Sequence, residues 1–125
     1  MSLDRGPADA RNAGALVSGA RGAAGRSLAD SMGRHAEPAA ALMKALSHPG
    51  RLMILCHLAD GEKAVQELEV LTGQRQAAVS QQLARLRMEG MVTARRSGKA
   101  IIYALRDAEV MRLLSCLSLL FDRPD

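Results

Sequence analysis

The chain has 125 residues and a net charge of +4, long enough for one domain with a real core and too short for two comfortable ones. Its apolar runs are only a handful of residues long and its N-terminus lacks the apolar block of a signal peptide, so the composition excludes a bilayer span and points to the cytoplasm. Two cysteines, Cys56 and Cys116, are too few for a disulfide-stapled secreted scaffold; in a reducing compartment they read as metal-binding, redox-active or simply buried.

Residues 1–33 are rich in Gly, Ala, Arg and Ser and hold few side chains that could be buried. Such a stretch has little to offset its ordering entropy, so a flexible tail is expected there and a folded domain over 34–125. From Glu37 the pattern becomes helical, with Pro38 in the first turn and Leu42, Met43 and Leu46 at helical spacing. A second helix follows in "SHPGRLMILCHLADG", with Ser47 as its cap, Pro49 in the first turn, Leu52, Leu55 and Leu58 on one face, and Gly61 closing it. "AVQELEVLTG" is a short third helix stopped by Gly73.

The fourth helix, "RQAAVSQQLARLRMEG", places Val79, Leu83 and Leu86 inward at i, i+4 and i+7, and leaves Arg75, Gln76, Ser80, Gln81, Arg85 and Arg87 mainly on the other faces. After Gly90 the period changes. "MVTARRSGKAIIYAL" alternates, is β-branched, and is interrupted by Ser97-Gly98, the signature of a hairpin. A final helix opens at Asp107 and carries the stripe Val110, Leu113, Leu114, Leu117, Leu120 and Phe121. The element order is therefore α1-α2-α3-α4-β-β-α5: a mainly α fold with a small β-hairpin wing, a winged helix-turn-helix.

The charge is focused on the same region. Between Gly73 and Arg106 stand seven cations (Arg75, Arg85, Arg87, Arg95, Arg96, Lys99 and Arg106) against one anion, Glu89, a local +6 that leaves −2 for the rest of the chain. A focused basic patch attracts phosphate backbones through counterion release, so double-stranded DNA is the expected partner. Gln76, Ser80 and Gln81 suit base or near-base contact in the major groove, Arg85 and Arg87, further along the helix, suit phosphate contact or solvent, and Arg75 is counted with the DNA-binding set. In "ARRSGKA" three cations, Arg95, Arg96 and Lys99, surround a glycine turn with no acid nearby, as expected of a wing lying on phosphates or probing the minor groove.

The stretch from Leu46 to Leu105 resembles the arsenic-repressor (ArsR/SmtB) winged-helix family. "LSHPGRLMIL", "AVSQQLARLR" and "EGMVTARRSGKAIIYAL" carry the resemblance, which extends through the last helix. It implies a homodimeric repressor, paired through its first and last helices, that releases operator DNA when an inducer binds; no cofactor and no enzymatic activity are expected. The apolar stripe from Val110 to Phe121 is independently more than an isolated helix should expose, which also points to a second subunit.

Metal-sensing members carry Cys-x-Cys in the third-helix region, or Asp and His ligands along the last helix. Here "AVQELEV" has no cysteine and the last helix no histidine, so no metal site of those kinds is expected. The wording "LCHLADGEK" is similar to the subgroup that senses sulfane sulfur or oxidants through two cysteines, which implies Cys56 and Cys116 as sensor thiols and a reactive sulfur species as inducer. Cys116 lies six residues before the usual second position, near Asp122. In a helix that is about 9 Å along the axis and about 120° around it. A direct disulfide needs Cα atoms within roughly 7 Å, so three arrangements stay open: a shifted last helix, a polysulfide span within one subunit, or pairing of the two Cys116 thiols across a dimer axis. A repressor of the same fold that holds a metal or metalloid through these cysteines is the alternative. Two further readings carry less: a thiol enzyme, for which no orienting acid or oxyanion loop is evident, and a module binding an acidic protein.

Overall fold

The computed structural model describes residues 27–122. Backbone packing divides the chain into two units, between Ala41 and Leu42. Most of the stretch read as a tail, residues 1–26, lies outside the described residues. In the first unit, Leu28–Gly33 forms a short helix, α1, whose start is capped by Ser27: its Oγ accepts from Asp30 N at 3.0 Å. It is followed by α2 (Ala36–Ala45), which crosses the boundary, so that its residues from Leu42 belong to the second unit.

The second unit holds α3 (Pro49–Ala59), a two-residue strand β1 (Lys63–Ala64), α4 (Val65–Thr72), α5 (Gln76–Met88), the hairpin β2 (Val92–Ser97) and β3 (Ala100–Leu105), and α6 (Ala108–Phe121). This is a mainly helical winged helix-turn-helix with an antiparallel β-wing. The hairpin is as expected, whereas the helix Leu28–Gly33 and the third strand are additions to the expected order. The sheet order is β1-β3-β2, with Lys63 opposite Tyr103 and Ala64 opposite Ile102. Two residues are too few to show an alternating pattern, and only their proximity to β3 makes them a strand.

The core forms where α3, α4 and α5 meet. Ile54, Leu55, Leu68, Val79, Leu83 and Leu86 are fully buried, and Met91, Val92, Val110 and Leu114 extend the cluster into the wing and α6. Each such side chain contributes roughly 1.5–3 kcal/mol through burial. The inward line of α5 is as expected. On α3 the buried set is Ile54, Leu55 and Leu58, while Leu52 is only partly covered.

The cap of α3 also differs from expectation. Ser47 Oγ turns back and donates to Lys44 O at 2.7 Å. His48, with extended backbone, occupies the cap position, and its Nδ1 accepts from Gly50 N at 3.0 Å and Arg51 N at 3.4 Å. The Arg51 side chain reaches the end of α2 and donates to Ala45 O at 2.8 Å, placing a cation on orphan carbonyls where the helix dipole favours one.

Two glycines set the geometry of the helix-turn-helix. Gly73 has φ 71° and ends α4 in the left-handed region, its N–H donating to Glu69 O, a conformation that only glycine adopts without strain. Gly50 permits a close approach: a Cβ there would lie 2.7 Å from Gln82 Nε2 and 2.9 Å from Gln74 Oε1. The start of α3 thereby packs on both the turn and α5.

Candidate functional site

Helix α5 follows the tight turn after α4 without an intervening loop longer than three residues. Its thirteen residues are mostly strong helix formers, with no Gly or Pro inside, and Arg85 and Arg87 in the last turn suit the negative end of its dipole. With Val79, Leu83 and Leu86 buried, the helical repeat sends Ala77, Gln81, Ala84 and Met88 directly outward, and all four are exposed. Ser80 is exposed on one flank of that line and Arg85 on the other. Small alanines around Gln81 leave room for a close approach of the helix to a groove. Arg75 and Gln76 stand exposed at the helix start, where no side chain caps the free backbone N–H groups.

Ser80, Gln81 and Arg85 thus share the outward and flanking faces of one helix, while Arg75 and Gln76 are exposed at its start, Gln76 in line with the inward Val79 and Leu83; Arg85 carries one qualification. Arg85 Nε donates to Glu89 Oε2 at 3.1 Å, so part of its charge is already met. The wing requires a plainer correction. Arg95, Arg96 and Lys99 are exposed as expected, but an acid does stand nearby: Arg95 Nη2 donates to Glu62 Oε1. Glu62 is 33 positions earlier in the chain and reaches the wing because β1 pairs with β3; a local reading of "ARRSGKA" could not reveal it. Arg96 lies opposite Ile101 in the register, and Arg95 opposite Ile102, so the two arginines project from opposite faces of the hairpin.

The two thiols occupy different surroundings. Cys56 is half-buried and Cys116 exposed; both are free. Cys56 lines an open groove of about 500 Å³ with Met43, Leu46, Leu52, Leu114, Leu117, Ser118, Phe121 and Asp122. Cys116 is not part of that lining, whereas Asp122, near the position where the resemblance places a second cysteine, is. Burial, and secondarily the carboxylate of Asp60, push the Cys56 thiol above its ordinary pKa, so the thiolate that nucleophilic chemistry needs is disfavoured. His57 does not face the groove. It lines a separate depression with His48, Met53, Leu71, Thr72 and Gln74, which removes it as a helper for Cys56. Among the described residues, no group of three or more His, Cys, Asp or Glu side chains is arranged to hold a metal ion, and no helix is long and apolar enough to cross a membrane.

A helix-turn-helix whose second helix exposes Gln81 between small alanines, flanked by Ser80 and Arg85, followed by a cationic wing, defines a winged-helix DNA-binding protein. The chain belongs to the arsR family of bacterial regulatory proteins, whose family model matches residues 48–94. It is 44% identical over 94 residues to the biofilm growth-associated repressor of Agrobacterium fabrum, covering 75% of this chain and 80% of that one. The crystal structure of the repressor BigR from Xylella fastidiosa superimposes with a TM-score of 0.71 at 43% identity, covering 74% of this chain and 94% of that one. Reduced HlyU from Vibrio cholerae gives 0.68 at 36% identity, covering 73% and 96%. The protein is therefore a DNA-binding transcriptional repressor of this family and not an enzyme.

Proposed function

We propose that this repressor grips operator DNA as a homodimer, through α5 and the wing, and lets go when reactive sulfur joins Cys56 to Cys116 within one subunit. Gln76, Ser80 and Gln81 read base edges; Arg75, Arg85, Arg96 and Lys99 hold phosphates, with Arg95 available when it leaves Glu62. The observation that carries the sensing half is the place of Cys56 on α3, in a groove whose opposite wall is α6. Leu55, its neighbour, packs in the same buried cluster as Val79 and Leu83 of α5.

The chemistry proceeds by sulfur transfer. The Cys56 thiolate attacks the outer sulfur of a persulfide RSSH, forming Cys56–S–SH and releasing RS⁻; Cys116 reacts in the same way. The two protein persulfides condense to a trisulfide with loss of H₂S. Each added sulfur lengthens the link by about 2 Å, which suits a Cys116 that lies outside the groove. A joined pair draws α6 against α3, changing the spacing of two recognition helices that must meet successive major grooves, and so shifts the population away from the DNA-competent state.

The test is fluorescence anisotropy on the duplex upstream of the protein's own gene, with the full chain reduced and then treated with polysulfide. The reduced protein should prefer that duplex to random DNA, and polysulfide should release it. Cys56→Ser should keep the affinity and lose the release. Normal release by the serine variant would remove Cys56 from the mechanism.

A further inference from the structure

Among the three wing cations, Arg95 differs from Arg96 and Lys99. It is the one that holds a carboxylate, through Nη2 to Glu62 Oε1, and no ion pair forms at Arg96 or Lys99 among the described residues. Both partners are about half exposed, at 57% and 50% of their side-chain surface, so the pair stands in solvent rather than in the core and has no role in filling space.

Its position is nevertheless built. Glu62 immediately precedes β1, whose two residues are hydrogen-bonded to β3 opposite Tyr103 and Ile102. The Lys63 ammonium donates to Gly61 O at 2.9 Å, and the Glu67 carboxylate accepts from Ala64 N at 2.9 Å. The backbone around Glu62 is thus held on both sides, and its carboxylate is delivered to the strand face that carries Arg95. A carboxylate offers a guanidinium the same paired oxygens that a phosphate does.

We propose that Glu62 is a built-in competitor for DNA: it occupies Arg95 in place of a backbone phosphate and sets the wing's grip on duplex of any sequence below what its three cations would give. This rests on the reading of the wing as a phosphate-contacting element. On DNA without an operator, Arg95 stays with Glu62 and the wing acts through Arg96 and Lys99. Loss of the carboxylate hands Arg95 to a phosphate.

The experiment uses the reduced full-length protein and a random-sequence duplex, with affinity measured across a salt series. Each phosphate neutralised steepens the slope of log affinity against log salt by about 0.9. Glu62→Gln keeps the shape of the side chain and removes its charge. It should raise affinity at low salt about two- to fivefold, the worth of an exposed ion pair, and steepen the slope by about 0.9. In an Arg95→Ala background the same change should leave the slope where it was. An unchanged slope for Glu62→Gln, or an equal steepening without Arg95, overturns the proposal while leaving DNA binding intact. A parent protein that binds no duplex at all overturns both.

Discussion

Cys56 and Asp60 stand one helical turn apart at the end of α3, and the Asp60 carboxylate adds to burial in pushing the Cys56 thiol above its ordinary pKa. A thiol reacts as its thiolate, and the surroundings of Cys56 disfavour that form.

Cys56 should therefore alkylate more slowly than the exposed Cys116 when the reduced protein is treated with iodoacetamide near pH 7, followed by peptide mass spectrometry. Asp60→Asn should speed Cys56 a few-fold by removing the secondary cause, and burial should keep it slower than Cys116. The sign for stability follows from the same shift. A thiol whose pKa is higher in the folded chain than in the unfolded one contributes stability that is present below the unfolded value, and that contribution is lost as pH rises through the folded value. Denaturant midpoints should fall at alkaline pH in the parent and fall less in Cys56→Ser. Faster labelling of Cys56 than of Cys116 would contradict this account.

The two halves of the DNA interface should separate by kind. Gln81→Ala, at the outward centre of α5, should cost about 1–3 kcal/mol on the operator and little on random duplex, because a base-edge contact carries sequence information. Lys99→Ala, at the wing turn, should weaken both alike and make the salt slope shallower by about 0.9. Competition binding with the two duplexes at several salt concentrations distinguishes these patterns. Equal losses on both duplexes for Gln81→Ala would move that residue from base reading to backbone contact.

The imidazole cap of α3 should be measurable as stability. His48→Ala removes the acceptor for Gly50 N and Arg51 N and should lower unfolding free energy by about 1 kcal/mol, the usual size of a lost N-cap. His48→Asp and His48→Asn, which keep an acceptor at that position, should restore most of it. Ser47→Ala, which removes only a bond back to Lys44 O, should change stability less. Urea titration of the four variants supplies the comparison.

Apart from the six-residue helix α1, which lies within the stretch read as a tail, the helices, the inward line Val79–Leu83–Leu86 and the hairpin turn were legible in the amino-acid order, because each follows from a local period or a local breaker acting over a few residues. So was the concentration of cations between Gly73 and Arg106, since charge can be counted along a chain. What no local pattern could show was decided by packing. Lys63–Ala64 becomes a strand only because β3 lies beside it, and that pairing brings Glu62 to Arg95. The exchange of Ser47 for His48 as cap depends on which of two adjacent residues has extended backbone. The separation of the two thiols is likewise a tertiary matter: Cys56 turns into a groove that α6 walls on one side, and Cys116 is not part of that lining, because a fixed helical repeat leaves only one side of α6 to meet α3.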